Sequence, residues 1–333
     1  MEKPTAADFQ LPEPPKDGIS TVQFSPSSSL VAAASWDGKV HVYEVGAGGK
    51  RQELGHPSAV LSSTFTDSDR TLVSGGLDRA LRSWDVETGQ SNTLLHHEDA
   101  IRCVYHSPEH QVTCSAGWDA RLKLVDPRSS SSSSSSTTLE LPAKAFAMSG
   151  VGNRVVVATA ERHVYVYDLR STKEPEQRRE SSLRYQTRSL RCMPSGEGYA
   201  SGSIEGRVSV EFFDPDQEIQ AKKYAFKCHR QTGSDGVDVV YPVNALAFHP
   251  IHGTFASGGS DGLVHVWDGR KKKRVRQLPR YTTSVASLDF SPDGSKLAIA
   301  ASYTFDEGER DHPPESLWIK ELSDSDVKPR VKA

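Results

Sequence analysis

One pattern recurs along this chain at nearly constant spacing. Its sharpest form is SGGSDGLVHVWD, Ser257 to Asp268: a turn carrying Asp261, an alternating apolar strand and a Trp-Asp ending. Related stretches are SWDGKVHVYE (Ser35 to Glu44), GLDRALRSWD (Gly76 to Asp85), GWDARLKLVD (Gly117 to Asp126), TAERHVYVYD (Thr159 to Asp168) and SIEGRVSVEF (Ser203 to Phe212). In each, an acid is followed seven positions later by the last residue of the strand. The acids Asp37, Asp78, Asp119, Glu161, Glu205 and Asp261 stand 41, 41, 42, 44 and 56 residues apart. A chain built this way must stack one small structural unit many times over.

A period of about 40–45 residues with a Trp-Asp ending is that of WD40 propellers. The expected fold is therefore all-β: a seven-bladed WD40 β-propeller with four-stranded antiparallel blades, its ring closed by the N-terminal strand. A blade is a small sheet that cannot bury its own two faces, so it needs neighbours and a closed ring. Length alone would suggest about two domains. Seven units of about 44 residues instead use about 310 residues, so residues 1–333 are expected to form a single propeller. Residues 5–12 either complete the last blade or form a disordered tail.

The expected blades run over 18–46, 57–87, 99–128, 143–170, 183–216, 225–269 and 282–322. A strand-ending Pro turn recurs at Phe24-Ser25-Pro26, His106-Ser107-Pro108, Phe248-His249-Pro250 and Phe290-Ser291-Pro292, where a strand must stop donating to its ladder. Eight serines, Ser129 to Ser136, cannot bury apolar surface and predict a flexible insertion over about 129–139. Residues 171–182 read as a charged loop, 231–240 as an insertion that explains the 56-residue interval, and 323–333 as a disordered tail. The basic run GRKKKRVRQLPR, Gly269 to Arg280, reads as a solvated turn; nuclear import and phosphate contact are the sharper alternatives.

The turn acid has a structural purpose. Its carboxylate can accept backbone N–H bonds and hold a His from an earlier segment. The second repeat carries His56, Ser74, Asp78 and Trp84, and a partial set recurs at His229, Ser257, Asp261 and Trp267. His, Ser and Asp together suggest catalysis, but a set that recurs with the fold is a buried polar network that satisfies itself.

Composition excludes several function classes. Net charge is −3, so the surface as a whole is no electrostatic match for nucleic acid. No run approaches the roughly 18 apolar residues of a membrane span, and MEKPTAADFQLPEPP lacks the pattern of a secretory signal. Cys103, Cys114, Cys192 and Cys228 have no metal-like spacing and read as buried free thiols. No direct nucleic acid, membrane, metal or cofactor is expected.

Function in such a ring lives in what its faces display. YQTRSLR, SIEGRVSVEFF and YAFKCHR place Arg188, Arg207, Lys227 and Arg230 in neighbouring repeats. A local basic cluster on an acidic protein can read an acidic or phosphorylated peptide, because the arginine fork pairs carboxylate or phosphate bidentately. Ordinary strand-end charge is the alternative. Trp36 and Trp118 stand just before the turn acid, where other repeats carry Leu77, Ala160 or Ser260; they read either as binding anchors or as local packing.

SIEGRVSVEFF, FKCHR, YPVNALAFHP, FASGGSDG and VWD also carry a family resemblance. Together they resemble the spindle-checkpoint propellers that form the third member of the "budding uninhibited by benzimidazole" family. The messenger-RNA export propeller of the nuclear pore is a sister sharing SIEGR and FKCHR. RYTTSVASLDFS and AIAASYTFDEGERDHPPES lean towards the checkpoint type. The poly-Ser stretch departs from the family pattern. The resemblance implies a non-enzymatic adaptor, a monomer within a hetero-complex, nuclear and at the kinetochore in mitosis. It implies two partners: the acidic GLEBS motif of a checkpoint kinase and of its pseudokinase relative, laid across the top face, and phosphorylated Met-Glu-Leu-Thr repeats of the kinetochore scaffold. Arg188 resembles the arginine that pairs with GLEBS glutamates, Trp36 and Trp118 resemble top-face aromatics beside that segment, and Arg207 and Lys227 resemble the basic pair on the phosphothreonine. An export adaptor, a propeller hydrolase and a generic scaffold are the rival readings; the repetition of His, Ser and Asp with the fold counts against the hydrolase.

Overall fold

The computed structural model describes residues 8–46, 49–128 and 136–329. Seven four-stranded antiparallel sheets form the blades, numbered here in chain order with their strands counted first to fourth from the channel outward. Blade one is Ile19–Phe24, Leu30–Ser35, Lys39–Glu44 and Lys50–Gly55. Blade five is Thr187–Cys192, Gly198–Ser203, Arg207–Phe212 and Tyr224–Lys227. First strands pack on one another from blade to blade, and that of blade seven returns to that of blade one.

Phe9–Gln10 closes the ring, pairing with Ile319 and Trp318 on the third strand of blade seven. Leu11 donates its N–H to the Leu317 carbonyl at 2.8 Å and is itself fully buried. Lys320 reaches Asp8 at 2.7 Å. Residues 1–7 lie outside the described residues.

Both faces of each blade are covered, so the second strands are buried almost throughout rather than alternating. In Leu30–Ser35 every residue is buried. Val31 and Ala33 pack against Ala298, Ala300 and Ile319 of blade seven. Leu30, Ala32 and Ala34 turn the other way, towards Val60, Leu72 and Trp84 of blade two. Similar clusters lie between each later pair of blades.

The first strands have an open edge on the channel, a liability wherever backbone donors lack a ladder partner. Side chains of the preceding blade fill those positions. Ser287 and Asp289 accept from the Val22 and Phe24 N–H at 3.0 and 2.9 Å. Gln23 accepts from Phe65 at 2.9 Å, Ser62 from Val104 at 3.0 Å and Ser149 from Cys192 at 3.0 Å. Asp289 is sunk between blades, and burial lifts its carboxyl to about 6 against the pull of Arg191.

Several stretches read as loops are outer strands. Thr137–Glu140 is the fourth strand of blade three, paired along Arg121–Val125. The expected insertion over 129–139 therefore ends sooner, and residues 129–135 lie outside the described residues. Gln177–Glu180, inside the expected charged loop, is the fourth strand of blade four. Lys273–Gln277, inside the basic run, is the fourth strand of blade six rather than a solvated turn. Residues 225–227 belong to blade five, not blade six. The 231–240 insertion is a hairpin of Arg230–Thr232 with Asp238–Val240. The expected tail begins with a helical turn, Asp324–Val327, closed by a Ser323–Asp326 capping box and with Val327 buried; residues 330–333 lie outside the described residues. A fourth strand is exposed on its outer side and its ladder tolerates polar sequence, so it lacks the apolar pattern that reveals the inner three. All four cysteines are buried and free.

The blade interfaces are tight at second-strand glycines. A Cβ at Gly258 would lie 2.5 Å from Val285 Cγ1 on the next blade; at Gly202 it would meet Val243 at 2.8 Å, and at Gly75, Ile101 at 2.8 Å. Gly258→Ala is expected to destabilise the protein by about 1–3 kcal/mol, the usual scale for overpacking. Urea unfolding of the variant against wild type checks this; an unchanged midpoint would mean that the blades can slide apart to admit a methyl group.

Candidate functional site

The His–Ser–Asp–Trp sets are buried and mutually bonded. His56 joins Asp78 at 3.1 Å and Ser74 at 2.7 Å, and the Trp84 indole donates to Ser74 Oγ at 2.7 Å. The set read as partial is complete: His229 joins Asp261 and Ser257, each at 2.8 Å, and Trp267 donates to Ser257 at 2.9 Å. A third set was missed, His97 with Asp119 at 3.0 Å and Ser115 at 2.9 Å. Its signal was the spacing: His97 precedes Asp119 by 22 residues, as His56 precedes Asp78. In blade six the interval is 32 because the hairpin is inserted within it. Burial pushes the Asp78 and Asp261 carboxyls up, but the bonds and charges of His56 and His229 outweigh it, and both titrate below the ordinary value. These networks join the end of one blade to the turn of the next, which is a scaffolding role.

Each first strand carries one bulge near its start, at the shifts 19/21, 60/62, 101/103, 145/147, 187/189, 243/245 and 285/287. A bulge leaves one residue out of the ladder and re-aims its side chain. The residues so displaced are Ser20, Leu61, Arg102, Phe146, Arg188, Asn244 and Ala286. All but Leu61 line a channel of about 140 Å³. The bulges thus bring a side chain from six of the seven blades to the channel, and two of those six are arginines.

Arg188 donates Nε–H to Asn244 Oδ1 at 3.2 Å and lies 3.9 Å from Asp306. Asn244 in turn donates to Ser260 Oγ at 2.9 Å, and Ser260 bonds Asp306. Burial lowers the Arg188 pKa; Asp306 opposes that, and the like charge of Arg102 adds to it. Arg102 was missed in the sequence because nothing there marks a bulge.

Trp36 and Trp118 occupy equivalent places, each donating its backbone N–H at 2.9 Å to the residue before the first strand, Gly18 and Ala100. Leu77, Ala160, Ile204, Ser260 and Ser302 make the same bond in the other blades, so one face carries a collar of these seven positions around the channel. Trp36 is 49% exposed. Trp118 is half-buried, with Lys144 6.0 Å above its ring. Leu77, Ile204, Tyr185 and Phe305 add exposed apolar surface to the same face. Two arginines inside an apolar collar can hold an acidic chain that also carries apolar side chains.

Arg207 and Lys227 are apart from that mouth, on the third and fourth strands of blade five, directly opposite one another. Like charges facing across a ladder cost stability. The only ion pair of Arg207 among the described residues is with Glu205, at 3.3 Å, and Lys227 is exposed and has none. Glu205 is the turn acid of a blade with no histidine network; Ser201, in the network serine's place, bonds Ser209 instead. Arg230 is not part of this pair: Asp238 holds it at 3.1 Å. Among the described residues no cluster of three or more His, Cys, Asp or Glu is placed to hold a metal.

A family model described as WD domain, G-beta repeat, matches residues 9–44, 48–85, 89–126 and 226–268. The solved structure of U3-55K superposes with a TM-score of 0.82 over 95% of this chain and 98% of that one, at 18% identity, which speaks to the fold alone. The molecule is a seven-bladed WD40 propeller. Among curated relatives, the mitotic checkpoint protein BUB3.1 of Arabidopsis thaliana is 47% identical over 98% of this chain and 96% of its own length. The mitotic checkpoint protein bub3 of Dictyostelium discoideum is 42% identical over 98% of both. The poly(A)+ RNA export protein of Schizosaccharomyces pombe is 34% identical over 98% of this chain and 93% of its own. The chain belongs to the Bub3 family of mitotic checkpoint proteins.

His265, beside the blade-six network, supplies a pH test of the scaffold. Its ring lies 4.8 Å from that of His229. Burial, with the charges of His229 and Arg274, pulls its pKa to about 4 against the pull of Asp261. The unfolded side chain titrates near 6.5, so between about pH 6.5 and 4 the unfolded state takes up the proton first. Stability from this group is full above pH 6.5 and falls on acidification, by at most about 1.4 kcal/mol per pH unit. Asp289 acts in the opposite sense below its value of about 6, and differencing against a variant cancels it. His265→Phe is expected to flatten the fall of stability between pH 7 and 5, read by urea unfolding; parallel profiles for variant and wild type would contradict the assignment.

Proposed function

We propose that the chain is a non-enzymatic adaptor of the spindle assembly checkpoint, acting in the nucleus and, in mitosis, at the kinetochore. It takes the acidic GLEBS motif of a checkpoint kinase, and of that kinase's pseudokinase relative, across the collared face. It takes phosphorylated Met-Glu-Leu-Thr repeats of the kinetochore scaffold on blade five. The observation that carries this reading is the facing pair Arg207 and Lys227, two cations on adjacent strands, with Glu205 paired to the arginine. Such a pair is a cost to the free protein and a gain once an anion with two charges arrives.

The chemistry follows from that imbalance. A phosphothreonine brings about −1.5 to −2 charges and three acceptor oxygens. Arg207 donates in the plane of its guanidinium and Lys227 acts as a point charge, so the phosphate both displaces Glu205 and relieves the repulsion. An unmodified threonine offers neither, which makes binding conditional on a kinase. On the collared face, Arg188 pairs with a glutamate of the GLEBS segment, with Arg102 lending a second positive charge. Trp36 and Trp118 flank the segment as apolar contacts. Binding there needs no modification, so one partner is held constitutively and the other on a signal.

A titration of the purified chain with a Met-Glu-Leu-phosphothreonine peptide, its unphosphorylated twin and a GLEBS peptide tests the reading. The phosphopeptide is expected to bind at least about tenfold tighter than its twin, about 1.4 kcal/mol, and Arg207→Ala to remove the difference. Equal binding of the twins, or an unaffected Arg207→Ala variant, refutes the blade-five site. If only the GLEBS peptide binds, the export-type adaptor becomes the better reading. Arg188→Glu is expected to weaken the GLEBS peptide at least about tenfold while sparing the phosphopeptide; the reverse pattern would mean the two sites have been exchanged.

A further inference from the structure

A cavity of about 1320 Å³ lies on the face opposite the collar, between blades five and six. Arg207 begins the third strand of blade five and Phe212 ends it. The cavity, which Phe212 lines, is therefore about 17 Å of strand away from the phosphate site. Phe212, Tyr224, Phe248 and Phe255 form its apolar floor. Ile251, on the turn between the first two strands of blade six, stands at its edge and is 68% exposed, the most exposed of the large apolar residues described. The floor is fixed from behind: Tyr224 donates its hydroxyl to the Gly269 carbonyl at 2.7 Å, and Phe255 is buried.

Charge around this groove is polarised. On the blade-six side stand Arg270 and Lys272, with Lys222 next to them on the blade-five turn. None of the three has an acidic partner among the described residues, and Lys272 lies 4.5 Å above the Tyr224 ring. On the far side Arg154 is matched by Glu176 at 2.8 Å, and Glu197 and Asp214 add exposed carboxylates. Arg270 and Lys272 belong to the basic run whose purpose the fold does not explain.

We propose that this groove is a further docking site, for a linear protein segment that inserts a long apolar or aromatic side chain beside Ile251 and carries acidic residues towards Arg270 and Lys272. Charge complementarity selects the occupant. The cations call for carboxylates at one end of the segment, and Glu197 and Asp214 at the other end exclude a uniformly acidic chain. Those same two carboxylates count against single-stranded nucleic acid, whose phosphates would run past them. So does the floor, where the Tyr224 face is already covered by Lys272. The site acts independently of blade five's phosphate pair, so one propeller can hold partners on both faces at once.

Selection of short random peptides displayed on phage, with the full chain immobilised, tests this directly. Enriched peptides are expected to share an aromatic or long aliphatic residue next to Asp or Glu. Each is then titrated against variants: Ile251→Asp and Lys272→Glu are expected to weaken it at least tenfold, and Arg207→Ala to leave it unchanged. Both substituted groove residues are exposed, and an unchanged thermal melting curve confirms that each variant is folded. The proposal fails if every enriched peptide binds both groove variants as well as wild type. It fails also if an oligouridylate probe binds the chain and loses that binding in the same two variants, which would make the groove a nucleic-acid site.

Discussion

A blade of this protein has two apolar faces and a bare inner edge, and nothing within the blade can cover either. That constraint governs the rest of the structure. The faces are covered by neighbouring blades, as Leu30–Ser35 illustrates by sending alternate residues into blades seven and two. The inner edges are covered by side chains such as Ser287, Asp289 and Gln23, which accept the N–H groups of the next first strand. Neither solution works in an open row, because one terminal blade would keep a naked face. The pairing of Phe9–Gln10 with blade seven is therefore what completes all the interfaces at once.

Closure also creates the proposed sites. A ring of first strands that each bulge at the same place sends a residue from six of the seven blades to the channel. That position stands outside the ladder, so it can be Ala286 in one blade and Arg188 in another. The proposed binding chemistry sits where the repeat is relaxed. Blade five has lost the histidine network that holds blades two, three and six, and its turn acid, Glu205, is released to lie beside Arg207. Arg207 and Lys227 then face each other across the ladder, with Glu205 paired to the arginine alone. An electrostatic fault of that kind persists in a folded protein at a modest cost, and it is most readily relieved by an anion from outside.

The inner three strands of each blade were legible in the sequence because burial on both faces demands an apolar run between a glycine-rich turn and an acid. The fourth strands were not. Thr137–Glu140, Gln177–Glu180 and Lys273–Gln277 are mostly exposed, and their partners are backbone groups that any residue supplies. The networks of His56 and His229 could be read from spacing, and that of His97 could have been. Among the proposed site residues, Arg207 and Lys227 were suggested by local sequence and by resemblance, but their pairing is a matter of ladder register. Arg102 and Phe305 carried no local signal: one is aimed by a bulge, and the other is exposed by the fold of a long turn at a φ of 60°.

By itself the sequence determined the repeating unit, its number, the polar networks that brace it and the family to which the chain belongs. These are properties of spacing and side-chain type, which act over a few residues and survive without coordinates. Only the tertiary structure decided which side chains share a surface. Arg188 and Arg102 meet at the channel from blades two places apart, and Arg207 meets Lys227 across a ladder. The groove between blades five and six gathers residues from Arg154 to Lys272. In a closed ring, residues far apart along the chain become neighbours through the rotation of one blade on the next, and no local pattern encodes that rotation.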